Sequence, residues 1–144
     1  MTVVAIVTGA SSGLGRAIYA GLGRDRRELG IDKVVGISRH GSDISVDLTR
    51  LPPQQQWPTL LGGEPIKITL LVNCAGILPL DDSPRVFLLN FWAPHNLIRD
   101  LLPYFDLEEG CIINIASVSG LIAEPNLPLY AASKAALISY TRSL

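Results

Sequence analysis

At 144 residues the chain has the size of one ordinary domain, with 12 Lys and Arg against 13 Asp and Glu for a formal net charge of −1. That balance, with no run of like charges, points away from nucleic acid and anionic membrane as partners, and no stretch approaches the roughly 20 apolar residues of a membrane span. Cys74 and Cys111 both sit in apolar runs and read as buried free thiols of a reducing, cytoplasmic setting rather than as a disulfide.

The opening MTVVAIVTGA lacks the positive segment of a signal peptide. Val3 to Thr8 reads instead as a buried strand. A helix follows from Leu14, with Leu14, Ile18 and Leu22 on one face and Gly30 as its stop. Lys33 to Ser38 is a second strand, and Ser42 to Leu48 alternates as a short third one. Residues 50–66 are rich in Pro, Gln and Gly and read as loop or one weak helical turn. Ile66 to Asn73 is a continuous apolar strand. Ser83 caps a helix whose first residue is Pro84, kinked at Pro94 and reaching about Phe105. Cys111 to Ala116 is a fifth strand. A last helix begins near Leu129 and carries helix-spaced apolar residues to Leu144.

Strand–helix alternation with continuous apolar strands means an α/β fold, a Rossmann-type doubly wound parallel sheet covered on both faces. Right-handed crossovers suggest the order 3-2-1-4-5 within a single domain, 1–144.

Between the first strand and the first helix lies TGASSGLG, residues 8–15. Glycines there let the backbone turn tightly and approach a pyrophosphate, to which a helix N-terminus offers free N–H groups and the positive end of its dipole. The spacing is GxxxGxG rather than GxGxxG, and a plain strand–helix turn is the alternative. The second strand ends in Ser38-Arg39, where an NAD binder usually has an acid for the ribose 2′-hydroxyl. Arginine suits a 2′-phosphate instead, which favours NADP(H) over NAD(H). Tyr130 and Lys134 are four residues apart on one helix and share a face. An ammonium beside a phenol favours the phenolate, which suits a proton-transferring group, although Tyr and Lys at this spacing are also a common surface pair. Ser117 ends the fifth strand, at the sheet edge where ligands gather; Ser119 is equally available from the residues alone.

Five motifs in order then resemble the short-chain dehydrogenase/reductase family. TGASSGLG resembles its cofactor fingerprint, Asp47-Leu48 its adenine-contacting pair, and Asn73-Cys74-Ala75-Gly76 its NNAG element with Cys in second place. Asn114 to Ser117 resembles its serine-bearing strand end, and Tyr130 to Lys134 its YxxxK. The resemblance implies an oxidoreductase that interconverts a ketone or aldehyde and an alcohol by hydride transfer. It implies a small-molecule substrate and no metal. The implied catalytic residues are Asn90, Ser117, Tyr130 and Lys134. Tyr130 moves the proton, Lys134 tunes it and holds the nicotinamide ribose, and Ser117, thirteen residues before Tyr130 as in the family, polarises the carbonyl. Asn90 helps hold a water that relays protons to the lysine. The implied cofactor set is Gly9, Ser11, Ser12, Gly13, Leu14, Gly15, Ser38, Arg39, Asp47, Leu48, Asn73, Ala75 and Gly76, with Tyr130 and Lys134. A homo-oligomer formed through the helices at 84–105 and 129–144 is also implied.

Two departures stand out. Only eight positions separate Arg39 from Asp47, so the usual helix between the second and third strands is missing. The family also continues with a sixth strand, a substrate-covering segment and a seventh strand. The expectation is therefore a C-terminally truncated product, and the contrasting reading is a non-catalytic nucleotide-binding fragment of such an enzyme. His40 and His95 lack partners at metal spacing, Asp81 and Asp82 precede a helix whose dipole they favour, and Trp57 and Trp92 read as packing.

Overall fold

A computed structural model describes residues 1–63, 65–79, 81 and 83–144. Strands β1 (Thr2–Thr8), β2 (Lys33–Ser38), β3 (Ile44–Ser45), β4 (Ile66–Asn73) and β5 (Cys111–Asn114) form one parallel sheet in the order β3-β2-β1-β4-β5. The expected topology is therefore the observed one. β1 lies at the centre because it is apolar on both sides: Val4, Ala5, Ile6 and Val7 are all fully buried.

Helices cover both faces. On one, α1 (Gly13–Asp25) lays Ile18, Tyr19 and Leu22 against Val7, Ala10 and Val72. On the other, α2 (Trp57–Leu61) and α4 (Ala93–Leu101) bury Trp57, Leu61, Leu97 and Leu101 against Val4, Ile6, Ile37 and Leu71. Each such fully buried leucine contributes roughly 1.5–3 kcal/mol of transfer free energy. α5 (Pro128–Thr141) joins the same layer through Tyr140.

Several boundaries differ from the sequence reading. α1 ends at Asp25, and irregular turns carry the chain to Gly30, whose φ is +67°. Leu14 is 56% exposed and takes no part in the packing face, because it stands in the first turn beyond the sheet edge. β3 has two residues, since Val46 makes the last ladder bond, to Ser38 O at 2.8 Å, before Asp47 turns the chain. In place of the missing helix, Asp43 closes the turn between β2 and β3: its Oδ2 accepts from Gly36 N at 2.8 Å and from the Tyr19 hydroxyl at 2.9 Å. The last helix closes at Thr141 rather than running to Leu144, with Arg142 N bonded to Ile138 O.

β5 is shorter and less buried than its apolar sequence suggested. Cys111 is exposed, contrary to expectation, and Ile113 is 42% exposed, because β5 is an edge strand among the described residues. Both cysteines are free. Among the described residues no helix is long and apolar enough to cross a membrane, and no group of three or more His, Cys, Asp or Glu could hold a metal.

The stretch from Ser83 to Tyr104 forms one helical run with a fault. Ser83 Oγ accepts from Arg85 N at 3.3 Å, α3 (Arg85–Phe87) follows, Leu88–Trp92 is a π-turn, and α4 ends in a 3-10 turn, Leu102–Tyr104. The cause is Pro94. It has no N–H for the carbonyl of Asn90 four residues earlier, and its ring crowds that carbonyl, so the preceding turn widens. Of the two acids before this helix, Asp81 is exposed in a turn, and Asp82 lies outside the described residues.

Candidate active site

At the carboxyl edge of the sheet a cleft of about 370 Å3 opens between the β1–α1 turn and the ends of β2, β3 and β4. Gly9, Ser11, Ser12, Gly13, Leu14 and Gly15 form one side of it. Gly15 is needed there for space: a Cβ would lie 2.2 Å from the Gly9 carbonyl oxygen, so any side chain would push the first turn of α1 off the loop. Gly9 N donates to Ile37 O at 2.8 Å, and the rest of the loop stands at the start of a thirteen-residue helix, whose first N–H groups have no partner within the helix.

The far side of the cleft is lined by Ser38, Arg39, His40, Asp47, Leu48 and Thr49. Ser38 is buried and its hydroxyl is committed within the turn, donating to His40 O at 2.9 Å and pairing with Ser42 Oγ. Arg39 is exposed and is the side chain of that dipeptide left to face a ligand. Asp47 Oδ1 accepts from Thr49 N at 2.9 Å and from Thr49 Oγ1 at 2.7 Å. These bonds, with smaller help from the Arg85 and Arg50 charges, hold its carboxyl below the usual aspartate range.

The floor is the segment after β4. Thr8 Oγ1 accepts from both Cys74 N and Ala75 N at 3.0 Å, which ties the end of β4 to the end of β1. Ala75 and Gly76 line the cleft. Asn73 does not: it is 3% exposed and its Nδ2 donates to Asn114 Oδ1 at 2.8 Å, joining β4 to β5. Asn114 in turn donates to Thr141 Oγ1 at 2.9 Å, so this expected cofactor residue instead begins a chain of bonds that seats α5 on the sheet.

Asn90 stands in the π-turn, 1% exposed. Its Oδ1 accepts from Ile77 N at 2.8 Å, and its Nδ2 donates to Ile77 O at 2.9 Å and to Ser133 Oγ at 3.3 Å. The side-chain amide is thus spent on holding the segment after Gly76 against α5. Ser133 is fully buried and its hydroxyl donates to Tyr130 O at 2.7 Å.

On α5, Lys134 is 6% exposed; its ammonium donates to Ile115 O at 2.9 Å and lies 5.9 Å from the centre of the Tyr130 ring. Burial pushes the lysine pKa down, opposed by the nearby Cys74, and burial pushes the Cys74 thiol up, opposed by Lys134. Ser117 caps the short 3-10 turn Val118–Gly120, its Oγ accepting from Ser119 N at 3.2 Å. That turn packs directly on α5, and Gly120 makes this possible. A Cβ there would lie 2.8 Å from Lys134 C and 2.9 Å from Ala135 N.

The sequence-predicted residues therefore fall into two groups. Twelve of the fifteen expected cofactor residues line the cleft; Asn73, Tyr130 and Lys134 do not. Asn90, Tyr130 and Lys134 are joined through Ser133 and the Tyr130–Lys134 contact. Residues that sequence reasoning passed over are Thr8, Arg85, Gly120 and Ser133. Thr8 and Ser133 were legible as polar positions in otherwise apolar runs. Gly120 carries no signal of its own, because the helix backbone it touches, at Lys134 and Ala135, is fourteen and fifteen residues away in sequence.

The sequence pattern described as short chain dehydrogenase matches residues 3–144. The chain is 32% identical over 156 residues to the uncharacterized oxidoreductase TDA5 of Saccharomyces cerevisiae, covering 97% of this chain and 48% of that protein. It is 29% identical to the 1-deoxy-11-beta-hydroxypentalenate dehydrogenase of Streptomyces avermitilis, covering 97% of this chain and 61% of that one. A solved 4-hydroxyisoleucine dehydrogenase complexed with NADH superposes with a TM-score of 0.77 at 29% identity, over 99% of this chain and 67% of the other. An oxidoreductase from Brucella ovis with a partially ordered NAD gives 0.74 at 29% identity, over 99% and 75%. The chain thus spans about half to three-fifths of the two curated relatives named.

Proposed function

Since the chain belongs to the short chain dehydrogenase family, we propose that it binds NADP(H) in the cleft and supplies a Ser-Tyr-Lys site that interconverts a ketone or aldehyde with an alcohol. The observation that carries this reading is the buried Lys134, bonded to Ile115 O and set against the Tyr130 ring beside a glycine-lined cleft. A lysine buried this far is rare without a task or a partner.

The cleft residues suit a dinucleotide. The β1–α1 turn offers backbone N–H groups to a pyrophosphate, Asp47 and Leu48 flank an adenine, and Arg39 offers a guanidinium to a 2′-phosphate. When bound, the nicotinamide supplies or accepts the hydride. Tyr130 gives its hydroxyl proton to the oxygen of the forming alcohol, or takes it back in oxidation. Lys134 sets its ammonium 5.9 Å from the centre of the Tyr130 ring, where its charge stabilises negative charge that develops on the phenol oxygen during proton transfer. Ser117 donates a hydrogen bond to the carbonyl oxygen. Asn90 positions the Gly76–Ile77 backbone under the cofactor. The reading includes a cytoplasmic setting and self-association through the long helices.

Tyr130→Phe removes one hydroxyl and tests the chemistry. In the intact protein turnover falls by about two to four orders of magnitude, the usual worth of a positioned acid–base group, while cofactor affinity stays within about twofold. Turnover within tenfold of the unaltered protein removes Tyr130 from the mechanism.

A further inference from the structure

Arg39 is not the only guanidinium at the adenosine end of the cleft. Arg85 opens the helical run after β4 and lines the same cleft. Arg39 follows the end of β2 and Arg85 comes from the segment after β4, and the fold brings both to this cleft. Among the described residues the Arg85 side chain makes no hydrogen bond and no ion pair within 4 Å. It also lines a neighbouring surface hollow together with Asp47, Thr49 and Arg50, which sets it near the turn that follows β3. The Asp47 carboxylate does not hold it, since among the described residues no ion pair within 4 Å links the two, and Asp47 Oδ1 accepts from the Thr49 amide and hydroxyl.

We propose that Arg85 is a second specificity-determining residue for the cofactor, reaching the 2′-phosphate together with Arg39 so that the phosphate bridges two guanidiniums. A phosphate monoester carries nearly two charges at neutral pH and three acceptor oxygens, more than one fork can satisfy. Two guanidiniums that line one cleft repel when nothing lies between them. A dianion removes that repulsion, and a plain ribose hydroxyl does not.

The proposal rests on the NADP(H) reading, and the test separates the two. Dissociation constants for NADPH and NADH are measured by calorimetry on the unaltered protein and on Arg85→Ala, Arg85→Lys and Arg39→Ala. Adenosine 2′,5′-bisphosphate and AMP serve as probes that do not depend on the nicotinamide end. NADPH binds more tightly than NADH to the unaltered protein. Arg85→Ala weakens NADPH and the bisphosphate about tenfold and leaves NADH and AMP within about twofold, the loss of one charge-assisted pair. Arg85→Lys, which keeps the charge without the fork, loses less, and the Arg85→Ala penalty shrinks as salt is raised. Equal affinity for NADH and NADPH in the unaltered protein overturns the cofactor reading and the clamp with it. A clear NADPH preference that Arg85→Ala leaves unchanged overturns the clamp alone. Equal weakening of both cofactors overturns it too, because Arg85 then acts only by compensating Asp47. If Arg85→Ala does not fold, the Arg85→Lys ratio of bisphosphate to AMP affinity decides, and an unchanged ratio overturns the clamp.

Discussion

Two buried polar groups illustrate opposite uses of an unfavourable environment. Trp57 is 0% exposed and its indole N–H is buried without a partner among the described residues. An orphaned donor costs about 1–3 kcal/mol, a sum that offsets much of what the second ring gains by packing. Trp57→Phe therefore changes unfolding free energy by no more than about 1 kcal/mol, whereas Trp57→Ala, which also opens a cavity, costs roughly 3–5 kcal/mol. Urea denaturation of both variants tests this ordering. Lys134 is different, because burial lowers its pKa. A lysine with a folded pKa below its unfolded value of about 10.5 destabilises the fold while charged, and that cost is relieved as pH rises from the folded toward the unfolded pKa. Lys134→Met should then be less damaging to stability at pH 7 than at pH 10 relative to the unaltered protein, while activity is lost at both. A stability difference that does not vary with pH would count against a desolvated ammonium here.

At the scale of elements, the site depends on two irregularities rather than on regular helix or strand. The π-turn at Leu88–Trp92 aims Asn90 at the backbone of Ile77, and it exists because Pro94 interrupts the α-helical ladder. Pro94→Ala restores the missing N–H and favours a regular turn, which would rotate Asn90 away from Ile77. Turnover should fall by about tenfold or more even if the melting temperature holds or rises, a split that kinetics and thermal unfolding can read separately. The second irregularity is the turn at Val118–Gly120. A single methyl at Gly120 would meet helix backbone, which cannot swing aside as a side chain can. Gly120→Ala is expected to cost about 1–3 kcal/mol of stability, the usual range for overpacking, and to shift Ser117 relative to Tyr130. A variant with normal stability and turnover would mean that the turn tolerates displacement.

For the whole molecule, the long helical run presents apolar surface outward as well as inward. Val86, Leu97, Ile98 and Leu101 are buried against the domain, while Leu88, Trp92 and Leu102 are each close to half exposed. Around Trp92, Phe91, His95 and Tyr140 form an aromatic cluster that joins this run to α5. Apolar residues on more than one side of a helix call for more than one covering surface. Self-association through this face predicts a sedimentation coefficient above the monomer value at tens of micromolar, and Trp92→Glu should return the protein to monomer without loss of folding. A clean monomer before substitution would remove the face as an interface.

The amino-acid sequence by itself determined the sheet and its order. Unbroken β-branched runs separated by helical periods have only one economical arrangement, with right-handed crossovers and the central strand buried on both faces. It also marked the glycine turn and the Tyr130–Lys134 pair, because those depend on spacing within one element. Tertiary structure decided whatever depends on contacts between distant segments. It made Asn73 a strap to β5 rather than a cleft residue, committed the Asn90 amide to Ile77, and exposed Cys111 on an edge strand whose sequence reads as core. It also brought Arg85 to the cleft that Arg39 lines. Periodicity reports the face a residue occupies on its own helix or strand, but a hydrogen-bond partner 13, 41 or 43 residues away is selected only when the layers close.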